Sequence, residues 1–169
     1  MKTIEEIQLD VAAFSKKENG AFLSHVWTER WGQSPEMGSL IPLMMMMGKV
    51  GNWFDAETTA DQRKILGEVG VLLCDYYARE GSILEEPKLT PLPLRDDPLA
   101  ILVMALGGLF STTNKLHQGL IPRSDYNQER DAWVQMIQAA LVEYAEVDFQ
   151  EPYLVIVQDV WDSWTGRDR

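Results

Sequence analysis

Apolar residues along this chain recur mostly at helical spacing. Ile4, Ile7, Val11 and Phe14 step along one face. Thr3-Ile4-Glu5-Glu6 precedes them, a pattern in which Thr and Glu cap each other's backbone N–H groups. Asn19-Gly20 breaks or kinks this first helix. Phe22, Leu23, Val26 and Trp27 resume an apolar face, which Gly32-Gln33-Ser34-Pro35 ends. A third helix is expected from Ser39 to Glu57, with Pro42 tolerated in its first turn. Thr58-Thr59-Ala60-Asp61 is a short connection carrying an N-cap candidate. Leu66, Val69, Leu72, Leu73 and Tyr76 share a face of the fourth helix, which ends near Gly81. Pro87, Pro91 and Pro93 make the stretch 85–97 an extended linker.

The second half repeats the scheme. Pro98 to Gln118 reads as an apolar helix and Gly119 to Tyr126 as a loop. Trp133, Met136, Ile137, Ala140, Leu141 and Tyr144 line the next helix. Pro152 suits the first turn of a last helix with Leu154, Val157, Val160, Trp161 and Trp164 on one face. Tyr153 to Val157 is β-prone, but its apolar spacing continues helically to Trp164. The expectation is an all-α helical bundle. It comprises an N-terminal half over 1–84, the linker 85–97 and a C-terminal half over 98–169, packed as one compact unit.

The halves share more than a scheme. Pro42-Leu43 followed by Val50-Gly51-Asn52-Trp53-Phe54 reappears 56 positions later as Pro98-Leu99 followed by Leu106-Gly107-Gly108-Leu109-Phe110. Leu72-Leu73 and Tyr77-Ala78 reappear as Ala139-Ala140 and Tyr144-Ala145, now offset by 67. Two copies of one helical hairpin produce this, with a loop about eleven residues longer in the second copy.

Composition narrows the partners. The chain has 169 residues, 46% of them hydrophobic, and a net charge of -11. A phosphate backbone favours a basic surface, so a nucleic-acid polymer is not an expected partner. A small nucleotide needs only a few local cations. The start Met-Lys-Thr-Ile-Glu-Glu does not read as a signal peptide. The apolar runs Leu40 to Met47 and Pro98 to Phe110 are short of the ~20 residues of a membrane span. The expectation is a cytoplasmic protein without a membrane partner. Cys74 is the only cysteine and sits in an apolar helical run, so it reads as a small core thiol.

Trp31-Gly32-Gln33-Ser34-Pro35, the apolar helix Leu43 to Phe54, and Gly67 through Ala78 together resemble the MazG-like nucleotide pyrophosphohydrolases, in the short form found in phages. Leu102 to Gly119 and Trp133 to Asp148 resemble the same module again, with Val160-Trp161-Asp162 and Arg167-Asp168 as its tail. The resemblance implies two MazG-like hairpins, oligomers, and Mg²⁺ held by Glu-x-x-Glu on one helix and Glu-x-x-Asp on the next. Spacing of i, i+3 keeps each pair on one face, and hard cations take oxygen ligands. The metal would activate water and neutralise phosphate charge. Here the expected acids fall on Lys49 and Asn52, on Ile65 and Glu68, on Ala105 and Gly108, and on Ala132 and Gln135. Of eight acids only Glu68 remains.

The resemblance therefore implies a scaffold without its hydrolytic centre. Lys49 either puts an ammonium in the metal's place against a phosphate, or is a solvated lysine. Asn52 either hydrogen-bonds a ligand or faces water. Trp53 is the indole placed to stack on a base. Glu68 and Asp75 lie two turns apart, as a residual metal pair or as acids in surface or inter-helix hydrogen bonds. Asn114, Lys115 and His117 follow the second apolar helix, either as substrate contacts, which the resemblance places near there, or as a polar helix end. The run Met44-Met45-Met46-Met47 either lines an adaptable pocket or packs in the core. His25 and His117 lack a Cys partner, which disfavours zinc.

The leading expectation is a degenerate MazG-like protein that binds a nucleotide or nucleotide-derived signal without hydrolysis. Its ligand residues would be Lys49, Asn52, Trp53, Glu68, Asp75 and Lys115, with no catalytic residue and an enzyme not expected. The alternatives are a structural or protein-interaction module without a ligand, and a Mg²⁺-dependent hydrolase with relocated acids. No cofactor is expected unless activity is retained, when Mg²⁺ would be. A homo-oligomer is expected in either case.

Overall fold

The computed structural model describes residues 1–17, 38–87 and 97–166. The expected second helix, with Phe22, Trp27, Trp31 and His25, lies outside the described residues, as do Pro91, Pro93 and Arg167-Asp168. Among the described residues every regular element is helical and there is no strand. The helices are α1 (Ile4–Lys17), α2 (Leu40–Phe54), α3 (Thr59–Arg79), α4 (Pro98–His117), α5 (Arg123–Glu143) and α6 (Tyr153–Thr165). The all-α expectation holds.

The chain forms two compact units. One comprises Met1–Glu86 with the chain from Leu154 on; the other is Pro87–Tyr153. The last helix thus belongs with α1, α2 and α3, whereas the sequence pattern grouped it with 98–169.

In the first unit, α3 is the central helix. Every residue from Ile65 to Tyr77 is buried, so this helix is covered all round through its middle. Thr58 caps it by accepting the Asp61 N–H at 3.1 Å. Thr58→Ala is expected to cost about 1 kcal/mol in urea unfolding; an unchanged midpoint would show the cap to be idle. The capping box of α1 is closed from both sides. Glu6 N–H donates to the Thr3 hydroxyl at 3.2 Å, and Thr3 N–H donates to Glu6 Oε2 at 2.8 Å. The α1 face of Ile4, Ile7 and Val11 is buried. Gln8, buried on the same helix, donates from Nε2 to the Ser82 carbonyl at 2.6 Å and accepts the Leu84 N–H at 2.7 Å. These bonds tie the chain leaving α3 back onto α1.

α6 rests on α3 and α1. A Cβ built on Gly67 of α3 would lie 2.4 Å from Val160 Cγ2 and 2.9 Å from the Ile156 carbonyl oxygen, so only glycine allows this approach. Phe14 meets Trp161 edge to face, with centroids 5.4 Å apart. Trp161, Ile156 and Val157 are fully buried. Leu154 and Trp164, expected on the same face, are only half-buried.

The second unit packs α4 against α5. Asp97 caps α4 by accepting the Leu99 N–H at 3.0 Å, and the same carboxylate accepts the Tyr144 hydroxyl at 2.7 Å. Burial and the Asp97 carboxylate push the Tyr144 hydroxyl well above its ordinary pKa. Tyr144 opens a π-helical turn, Tyr144–Asp148, that extends α5. The sequence pattern held no sign of this turn. α5 also begins at Arg123, inside the stretch 119–126 expected as loop, because Pro122 presets its entry.

The expected longer loop is not there. The connections 55–58 and 118–122 are nearly equal, and the extra length is helical: α4 has 20 residues and α2 has 15. That length changes a second expectation. α4 is, by length and composition, long and apolar enough to cross a membrane, with a mean hydropathy of 1.4 over its most apolar window. Just under half of that window, 44%, is buried within the protein, and core helices of soluble proteins pass the same test.

Candidate functional site

The pair of helices α2 and α3 carries five of the six expected ligand residues, and they do not gather in one environment. Val50 and Trp53 lie on the α2 face turned to the core. Lys49 precedes that face by one residue and is half-buried. Glu68 sits in the buried middle of α3, its side chain 8% exposed. The two meet: Lys49 Nζ lies 2.7 Å from Glu68 Oε2. A buried carboxylate needs a partner. The resemblance assigns a metal to this place, and here the Lys49 ammonium serves as the counter-charge. The Lys49 side chain remains 28% exposed, so its outer end is in contact with water.

Asn52 is exposed, one turn beyond Lys49. Trp53 is a correction. The sequence placed its indole for stacking on a base, but the residue is only 6% exposed, in the core of the first unit. Trp53 lies at helical spacing from Met46 and Val50, which are also buried, so the apolar stripe takes it inward. The methionine run divides as well. Met46 is fully buried while Met44 and Met47 are exposed, so the run wraps around the helix instead of lining one pocket.

Glu68 and Asp75 do not share a site. Seven residues of helix separate them by about 10 Å along the axis. Their partners also come from different elements. Asp75 Oδ2 accepts from Arg79 Nε at 2.8 Å, and Arg79 Nη2 donates to the Ser15 hydroxyl of α1 at 3.0 Å. The i, i+4 spacing made the Arg79 partner readable; nothing in the sequence pointed to Ser15. Burial pushes the Asp75 carboxyl above the ordinary range, and Arg79 and the Ser15 hydroxyl only partly offset it. The adjacent Cys74 thiol is buried and likewise raised, chiefly by burial.

The Asp75 shift has a stability consequence. A folded pKa above the unfolded one means that the folded state holds more protons across the window between them. Stability therefore falls as pH rises from the ordinary carboxylate range to the raised value, and is level beyond it. Asp75→Asn is expected to remove that decline. Urea unfolding across this window tests it: the stability of wild type relative to the variant should rise on acidification. A wild-type advantage that grows as pH falls meets the expectation, and one that grows as pH rises contradicts it.

In the second unit the corresponding positions hold no acid. Ala105 is buried, Ala132 and Gln135 are exposed, and Gly108 lies beneath an indole. A Cβ on Gly108 would meet the Trp133 ring at 2.5 Å. Trp133 is held there by its Nε1, which donates to Thr112 Oγ1 at 3.2 Å, while the Thr112 hydroxyl donates to Glu129 at 2.9 Å. The indole thus fills the space that a side chain at position 108 would need. Lys115 and His117 are exposed in the last turn of α4, where cations suit the helix C-terminus. Lys115 belongs to a different unit from the other five expected ligand residues. Among the described residues, no three His, Cys, Asp or Glu side chains gather as a metal set.

Compared with family models, with characterised proteins and with solved structures, the chain matches none of them.

Proposed function

We propose that this protein is a non-hydrolysing relative of the MazG-like module that acts through its helical surfaces, as an interaction module and not by turnover. The observation that carries this reading is the ion pair of Lys49 with Glu68, at 2.7 Å. Of the acids that the resemblance calls for, the one remaining is neutralised from within the protein. A lysine ammonium can balance charge, but it cannot activate a water as a bound divalent ion does. The buried Trp53 offers no free ring to a base, and Trp133 covers Gly108. These features support a scaffold kept for its shape and surface.

One observation favours a second reading, in which Lys49 contacts a nucleotide phosphate. Its side chain is partly exposed, and Asn52 stands exposed one turn away. A phosphate would then compete with Glu68 for the same ammonium.

Two measurements separate the readings. Calorimetric titration with mono-, di- and cyclic nucleotides without Mg²⁺ is expected to give no saturable heat. Incubation of nucleoside triphosphates with Mg²⁺ is expected to release no pyrophosphate. Saturable heat lost in Lys49→Gln would establish the second reading. Mg²⁺-dependent pyrophosphate release lost in Glu68→Gln would overturn both.

A further inference from the structure

The run Met44-Met45-Met46-Met47 is more than the core of the first unit requires. Helical periodicity spreads its side chains around α2. Met46 alone of them is fully buried, whereas Met44 and Met47 are 40% and 41% exposed. The exposed pair places two thioethers three residues apart, on one face of one helical turn. At that spacing the Cβ atoms of a helix lie about 5–6 Å apart. A methionine side chain is unbranched and rotates freely about its bonds, so both sulfurs can turn to a common point.

We propose that Met44 and Met47 form a binding site for a soft monovalent cation, Cu(I) or its chemical analogue Ag(I). The site lies within the first unit alone, is separate from the ion pair of Lys49 with Glu68, and goes beyond the interaction-module reading. Three observations support it. The first is the donor. Thioether sulfur is a soft, uncharged ligand, which selects Cu(I) over Mg²⁺ or Ca²⁺. The second is access. The neighbouring positions on the same face are Gly48 and Gly51, which carry no side chain, and a Cβ on either would meet nothing within 4 Å. An ion can therefore reach both sulfurs from solvent, with water completing its shell.

The third is charge. The single charged residue of α2 is Lys49, whose ammonium lies 2.7 Å from the Glu68 carboxylate. It stands about 140° around the helix from Met44, so no cation of α2 shares the thioether face. The net charge of -11 favours the approach of a positive ion. Met104 on α4 supplies the contrast. It is 46% exposed, but the residues three and four positions away on either side are Ala100, Ile101, Gly107 and Gly108. Met104 thus offers one thioether with no second donor from its own helix face.

NMR of the protein carrying isotope-labelled methionine methyl groups tests this, by titration with Ag(I) nitrate in chloride-free buffer. The Met44 and Met47 signals are expected to shift together and to saturate at one equivalent, with a micromolar dissociation constant. Met46 and Met104 should not respond in that range. Met44→Leu and Met47→Leu each remove one donor and keep the volume. Each should raise the dissociation constant at least tenfold, with an unchanged far-UV circular dichroism spectrum. A thioether has no proton to lose, so the affinity should stay level from about pH 7.5 to about pH 5.5, where an imidazole site weakens. Excess Mg²⁺ should leave the titration unchanged. No saturable shift at Met44 and Met47 would overturn the proposal. A Met104 response at the same concentrations would make the binding adventitious and overturn it too. Binding that persists when both methionines are leucine, or that fades on acidification, would assign the ion to a thiol or an imidazole and equally overturn it. Each of these failures leaves the interaction-module reading standing, because only nucleotide heat or pyrophosphate release removes that.

Discussion

Gly67→Val is expected to lower the unfolding free energy by about 3 kcal/mol, at the upper end of what overpacking costs. Gly67 lies in the buried middle of α3, where glycine is about 1 kcal/mol less favourable than alanine by propensity alone. Its value lies in what crosses it. A Cβ would lie 2.4 Å from Val160 Cγ2 and 2.9 Å from the Ile156 carbonyl oxygen. The methyl group can rotate away, but the carbonyl is part of the α6 backbone and cannot. Valine adds two further methyl groups to the same gap. Relief then requires α6 to move off α3, which loosens the packing of Trp161 against Phe14. Of a total stability of roughly 5–15 kcal/mol, this is a large share. Urea unfolding should show a lower midpoint with an unchanged slope. Val160→Ala should rescue Gly67→Ala in part, since it removes the nearest atom and leaves the carbonyl. A Gly67→Val protein as stable as wild type would mean that α6 does not sit on α3 as described. Gly51 is the internal contrast, because its Cβ position is open and Gly51→Ala should not destabilise the fold.

That contrast shows how much of the fold was legible. Local rules worked where the determinants lie within a few residues. Thr3 and Glu6 announced α1, Thr58 announced α3, and the buried faces of α1 and α3 follow the apolar spacing. The same rules treat Gly51 and Gly67 alike, since both are glycines within helices. One faces open space and the other a crossing helix, and only packing between distant segments tells them apart. The placement of α6 was lost for the same reason: its seat on α3 depends on Gly67, far away in sequence. Tyr144, where the π-helical turn begins, donates to Asp97, again a distant residue. The eleven extra residues of the second repeat were assigned to a loop because insertions are easiest there; α4 absorbs most of them instead. For the site, the resemblance named Lys49 and Glu68 as separate candidates, and the structure pairs them with each other. The resemblance also gave Trp53 an outward role that the burial of its neighbours on α2 denies.

Lys49→Ala is expected to cost about 3 kcal/mol, and the value of the measurement lies in the companion variants. The substitution strands the Glu68 carboxylate, 8% exposed, without its partner. Breaking one side of a buried pair typically costs 3–5 kcal/mol. The low end applies because Lys49 is partly open to water, which can reach part of the stranded charge. Lys49→Met combined with Glu68→Leu removes both charges and keeps the volume. That double variant is expected to lie within about 1 kcal/mol of wild type, since apolar replacements of buried pairs are often neutral or better. A double-mutant cycle built on Lys49→Met, Glu68→Leu and their combination isolates the coupling, expected at about 2 kcal/mol. Additive effects would show that the 2.7 Å contact carries no energy. The cycle also bears on function. If the pair only holds α2 to α3, neither wild type nor the double variant should give nucleotide heat. If the ammonium instead serves a phosphate ligand, the double variant should keep its stability and lose nucleotide heat. An ion pair in a metal's place is structural when apolar residues can substitute for it without loss of any activity.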